Sequence, residues 1–165
     1  MTTAKRPDRY MAIDFGTSHI TVAVGADTGA PLSSIKAPIK YFTPADGPRT
    51  GLEFDPAETL NLVTATAQSA IGAADISPDE ITGIGVTSQR QGLVLLNLEG
   101  LPIYAGRSRD MRATAEGVEI DANALVDIWE LTGHGPGIRT GWARLKWFAA
   151  NKPEIYERTR TMCSI

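Results

Sequence analysis

The sequence predicts an α/β fold: a mixed sheet, antiparallel in its first strands and flanked by helices. Three observations predict it. The chain opens with short strand-like runs joined by tight turns, which makes sequential strands antiparallel. A helix with a defined start follows near Asp55. Another strand-like run comes after that helix, and strand–helix–strand order implies a crossover back onto the first sheet.

Tyr10 to Asp14 reads as a buried strand, Gly16-Thr17-Ser18 as a turn, and Ile20 to Val24 as the returning strand, closed by Asp27-Thr28-Gly29. A third strand spans Leu32 to Tyr41. Asp55-Pro56-Ala57-Glu58 then combines a side-chain acceptor at the cap, a proline where no amide is needed, and a glutamate three residues on. Leu60, Val63, Ala67, Ala70 and Ile71 follow at helical spacing on one face, and Gly72 marks the end. Ile81 to Thr87 returns as a strand in which Gly83 and Gly85 permit close backbone approach, and Gly92 to Leu98 continues as another before the Glu99-Gly100 turn. Helical patterns cover Asp110 to Gly117, Asn123 to Leu131 and Gly141 to Ala150, the last with Trp142, Leu145, Phe148 and Ala149 on one face. Thr161 to Ile165 begins a strand. The unfinished element predicts that the chain is a fragment.

Composition narrows the function classes. At 165 residues, with 42% hydrophobic and 21% charged, the chain is an ordinary globular one, and a chain of this size buries roughly 70% of its unfolded surface. One continuous domain is the default. The net charge is −3 and no Lys/Arg run exceeds two residues, so a phosphate-backbone footprint for nucleic acid is disfavoured. Cys163 is the only cysteine, which fits a reducing cytosol, and the longest aliphatic run, Leu93 to Leu96, is too short for a signal peptide or a membrane span. A cytoplasmic protein is expected. His19 and His134 have no acidic or thiol companions at metal spacing, which argues against zinc and reads each as a turn residue. Trp129, Trp142 and Trp147 read as core or interface packing. No Gly-x-Ser-x-Gly elbow accompanies the Ser, His and Asp residues.

The most informative stretch runs from Ala12 to Thr21: a carboxylate at a strand end, then a Gly-Thr-Ser turn, then a second strand. Gly16 lets backbone approach an anion, consecutive amides of such a turn can point into one concavity, and the Thr17 and Ser18 hydroxyls add donors to phosphate oxygens. Asp14 sits where a carboxylate can hold Mg²⁺ through water. The same residues also fit a plain hairpin stabilised by side-chain to backbone hydrogen bonds. Neither a Walker loop nor a protein-kinase His-Arg-Asp is present.

Several segments, in order, resemble the FGGY family of carbohydrate kinases. The turn from Asp14 to Ser18 is similar to the family's first phosphate motif, and Gly83 through Leu96 is similar to its strand, sugar-contacting turn and strand. Gly100-Leu101-Pro102-Ile103-Tyr104, followed by Arg109-Asp110-Met111-Arg112-Ala113, resembles the second hairpin and the Asp-x-Arg helix start. Thr132-Gly133, Leu145-Lys146-Trp147 and Asn151 to Tyr156 resemble the helix beneath the sugar site. The resemblance runs from about residue 10 to the end. Ser88-Gln89-Arg90-Gln91-Gly92 is similar to the autoinducer-2 kinases, with the xylulose kinases as the other near subgroup. Thr21 stands where family members usually have Lys or Arg, and Ser108 where many have Trp.

This resemblance implies a ribonuclease-H-like, or actin-like ATPase, lobe over residues 10–165, incomplete at its C-terminal end and preceded by a polar arm over residues 1–9. It implies that the full-length protein uses ATP and Mg²⁺ to phosphorylate a hydroxyl of a sugar, polyol or related small molecule, with Asp14, Gly16, Thr17 and Ser18 at the phosphates and Asp14 on the metal through water. Arg90 and Gln91 fall where the family contacts substrate hydroxyls, which suits a rigid donor fork and a mixed donor-acceptor. Gln89 and Asp110 stand in second rank. The residues themselves leave open that Arg90 pairs with a surface carboxylate and favour Asp110 as a helix cap, with Arg112 structural. The family's catalytic Asp lies in a Gly-Asp-Gln segment expected beyond residue 165, so this chain alone is expected to be inactive. Expected partners are the hydroxylated substrate, the missing C-terminal kinase lobe and, as an open option, a second copy in a homodimer; nucleic acid and membrane are not. The alternative is a non-catalytic actin-like lobe that binds a ligand or partner.

Overall fold

The computed structural model describes residues 8–124, 127–133 and 137–165. Residues 1–7 of the polar arm and His134 lie outside them. The chain divides into two compact units, one from the residues up to Lys40 together with Ala57–Ser88, the other from Tyr41–Pro56 together with Gln89–Ile165. Among the described residues no helix is long and apolar enough to cross a membrane.

The first unit is a sheet of β1 (Arg9–Phe15), β2 (His19–Ala26), β3 (Pro31–Pro38) and β4 (Ile81–Ser88), in the order β3-β2-β1-β4. The β1–β2 and β2–β3 pairs are antiparallel, as short turns require, and β4 lies parallel to β1 after the crossover. The crossover contains α1 (Pro56–Ala73), which starts at the proline whose missing amide a first turn does not need. Period-two alternation sorts the strands into two faces. Ile20, Val22 and Val24 are fully buried on one face, where the Ser33 hydroxyl donates to the Ala70 carbonyl of α1 at 2.6 Å. The opposite face carries Ala12, Asp14, Thr21, Ala23, Gly85 and Thr87.

The face of α1 is rotated from its expected position. Thr59, Thr66 and Ala70 are buried, whereas Leu60 is 65% exposed. Burial of a threonine is tolerated here because the Thr66 hydroxyl donates to the Leu62 carbonyl at 2.7 Å, leaving no unsatisfied group. On the edge strand β4, Ile84 and Val86 point away from the small-residue face and remain exposed.

The second unit has an antiparallel sheet of β5 (Leu93–Leu96), β6 (Pro102–Gly106) and β7 (Thr161–Ser164), ordered β6-β5-β7. Of the helices α2 (Thr114–Asn123), α3 (Ile128–Thr132), α4 (Gly141–Asn151) and α5 (Pro153–Arg158), α2, α4 and α5 add residues to the core against this sheet, whereas α3 lies beside α2 and α4 with no buried residue. The core joins Leu93, Leu95, Tyr104, Ala113, Ala143, Trp147 and Phe148. Phe148 stands edge-on to both Tyr104 and Trp147.

Three helical expectations shift in this unit. The helix expected from Asp110 begins at Thr114, because the Asp110 carboxylate accepts from the Arg112 amide and holds residues 110–113 in a turn. The helix expected from Asn123 instead ends α2 there, and α3 starts at a new cap, with Asp127 accepting from the Trp129 and Glu130 amides. On α4 the buried stripe is Ala143, Arg144, Trp147 and Phe148, one position round from the expected face, so Trp142 is 54% exposed. Trp129 is exposed as well, and of the three tryptophans only Trp147 is in the core.

Candidate functional site

The β1–β2 turn is closed by the Gly16 amide, which donates to the His19 carbonyl at 3.0 Å. A Cβ on Gly16 would lie 3.1 Å from that carbonyl, tighter than most real side chains tolerate, which accounts for the glycine. The Ser18 carbonyl accepts from the Ile39 amide at 3.0 Å and ties the turn to the segment after β3. The first amide of the turn is therefore used internally. Those of Thr17 and Ser18, with both hydroxyls, take no partner among the described residues, and both side chains are exposed.

Strand register sets what surrounds the turn. Asp14 on β1 is opposite Thr21 on β2 and Thr87 on β4, so one carboxylate is flanked by two hydroxyls on one face. The next row on that face is Ala23, Ala12 and Gly85, with almost no side-chain bulk. Together these residues line a shallow depression of about 320 Å³. Lys36 on β3 is opposite Thr21 and extends the polar row with a cation. Neither Thr87 nor Lys36 stands out in the sequence, since only pairing between distant strands makes them neighbours of Asp14.

The other predicted group lies in the second unit. Gln89 is 6% exposed, and its side-chain amide donates to the Tyr41 hydroxyl at 3.3 Å while its carbonyl oxygen accepts from the Ser108 amide at 3.1 Å. The Arg107 guanidinium lies 4.2 Å over the Tyr41 ring, and burial pushes the Tyr41 hydroxyl above the usual tyrosine range. Arg90 follows with an exposed side chain. Gln91 has φ of 64°, in the left-handed region that non-glycine residues seldom enter. Gly92 closes the turn, its carbonyl accepting from the Ile165 amide at 3.2 Å.

Asp110 is fully buried and not a helix cap: α2 is preceded by Ala113, with no side-chain cap bond. Its carboxylate accepts from the Tyr104 hydroxyl at 2.8 Å and from Arg112 Nε at 2.9 Å, and Arg112 Nη2 lies 2.8 Å away. Arg112 also reaches Glu53 at 2.6 Å, with its guanidinium about 5 Å from the Tyr104, Trp147 and Phe148 rings. Its structural role follows from these contacts. Burial holds the Tyr104 hydroxyl far above the tyrosine range, so it stays protonated and donates. Asp14, Gly16, Thr17 and Ser18 thus sit together in the first unit, and Gln89, Arg90 and Gln91 share one turn in the second. Arg144 and Tyr41 were missed in the sequence, where nothing marks a helical arginine as buried or a loop tyrosine as the partner of Gln89.

The N-terminal domain of the FGGY family of carbohydrate kinases matches residues 9–165. The chain belongs to this family. The autoinducer-2 kinase of Klebsiella pneumoniae is 28% identical to this FGGY domain over 159 residues, and that of Escherichia coli strain K12 is 29% identical; each match covers 94% of this chain and 30% of the relative. A xylulose kinase from Rhodospirillum rubrum superposes with a TM-score of 0.82 at 21% identity, covering 94% of this chain and 32% of that one. The Plasmodium falciparum glycerol kinase solved with ADP gives 0.77 at 20% identity, covering 96% and 32%. These likenesses establish the fold, a ribonuclease-H-like lobe of the actin-like ATPase kind. The FGGY domain spans 30% of the length of these autoinducer-2 kinases.

Proposed function

We propose that this FGGY domain is the first lobe of an ATP-dependent kinase that phosphorylates a hydroxyl of a sugar, polyol or related small molecule. The observation that carries the reading is the row Thr21, Asp14 and Thr87 above the Ala23, Ala12 and Gly85 floor, next to a turn whose amides and hydroxyls at Thr17 and Ser18 have no partner among the described residues. The bare floor admits a bulky group close to the backbone, the turn offers donors to phosphate oxygens, and one exposed carboxylate suits an Mg²⁺ ion that keeps most of its waters. These residues fit ATP and Mg²⁺. When bound, ATP supplies the phosphoryl group and the ion neutralises its charge.

In this reading Gly16, Thr17 and Ser18 bind phosphate oxygens and Asp14 orients the ion's waters. Arg90 and Gln91 orient the substrate hydroxyls, and Gln89 and Asp110, whose polar atoms are engaged by protein groups, support that site. The base that takes the hydroxyl proton belongs to the rest of the polypeptide, against which the exposed Ile84 and Val86 of β4 would pack. A cytoplasmic setting, where ATP is available, suits this role. The relatives' names point to xylulose, glycerol and autoinducer-2 as first substrates to offer.

The test is ADP release by the full-length protein on a panel of these compounds and other polyols. One or more members should drive ATP consumption, Asp14→Ala should abolish it without loss of the fold, and Arg90→Ala should raise the substrate KM with little effect on ATP. Wild-type turnover in Asp14→Ala would remove the metal role. A full-length protein that binds a panel compound and never releases ADP would favour a non-catalytic binding lobe.

A further inference from the structure

We infer that Arg144 is the positioning residue of the substrate turn: its buried guanidinium grips the Gln91 carbonyl, so that Arg90 and Gln91 present their side chains in one fixed conformation. This rests on the substrate reading of Arg90 and Gln91 proposed above. Arg144 projects from α4 with no exposed surface, and no carboxylate pairs with it among the described residues. Its Nη2 instead donates to the Gln91 carbonyl at 2.5 Å and the Arg139 carbonyl at 3.1 Å, while Nη1 lies 3.5 Å from the Tyr104 hydroxyl and the Gly106 carbonyl. Its Nε finds no partner among the described residues.

A buried arginine with no carboxylate partner among the described residues is an expensive way to fill a core, because taking its charge out of water is costly. What the arginine adds is a rigid fork on two carbonyls, which fixes orientation as well as distance. The carbonyl it grips belongs to the residue whose backbone lies in the left-handed region, φ 64°. The turn is then anchored at Gln89 through its side chain, at Gln91 through Arg144 and at Gly92 through Ile165. Between those anchors Arg90 has an exposed side chain. Through Tyr104, the same arginine joins this turn to Asp110.

The test uses the full-length protein and whichever panel compound it phosphorylates. Arg144→Met keeps the volume and removes the donors; the expected result, in a protein that still folds, is a substrate KM raised about tenfold and an unchanged ATP KM. A role confined to stability would move the thermal midpoint and leave the KM split unmoved. Arg144→Lys should fall between Met and wild type. In an Arg90→Ala background Arg144→Met should add little, because its effect acts through the turn. An unchanged substrate KM in Arg144→Met, beside a raised one in Arg90→Ala, overturns this inference alone. Unchanged KM in Arg90→Ala itself overturns the substrate reading and the inference together.

Discussion

Arg112 closes an ion pair at 2.8 Å onto Asp110, the residue two positions before it, with both side chains cut off from solvent. Asp110→Ala would leave the guanidinium with Glu53 alone. We expect it to destabilise the protein by about 3 kcal/mol, and the double variant Asp110→Ala/Arg112→Met to recover much of that loss, because the penalty comes from a buried cation left with one of its two counter-ions. Chemical denaturation of wild type and the two variants checks this; an Asp110→Ala protein as stable as wild type would show that the carboxylate is free for another task.

Tyr104 donates to the same carboxylate, and its burial keeps the hydroxyl protonated well beyond the point where an unfolded tyrosine ionises, near pH 10. Above that pH the unfolded chain loses a proton that the folded one keeps, so stability falls with rising pH. Wild type should exceed Tyr104→Phe by about 1 kcal/mol at neutral pH. That gap should shrink above about pH 10. Urea titrations of both proteins from neutral to alkaline pH would refute this if the gap stayed constant.

Lys36 is opposite Thr21 on the face that carries Asp14, and it is exposed. In the proposed phosphate site its charge would add to the field that attracts the anion. Lys36→Met is expected to raise the ATP KM of the full-length protein about fivefold at low ionic strength and less at high salt, since exposed charges are screened. A salt-independent KM equal to wild type would take Lys36 out of the site.

The strands from Tyr10 to Val24, the helix at Pro56, the strand from Ile81 and the hairpin ending near Tyr104 were legible because each rests on local signals: alternation, turn residues and the missing proline amide. The order of motifs on those elements was enough to name the family. What could not be read along the chain was proximity. Thr87 and Lys36 become neighbours of the Asp14 row only through pairing between strands far apart in sequence, and register is set by which residues bury together rather than by local propensity. For the same reason Asp110 reads locally as a helix cap and folds into an ion pair, and Arg144, which no local signal marks, ends in the core. Burial and partnership are properties of the packed assembly of elements, and one element's pattern cannot hold them.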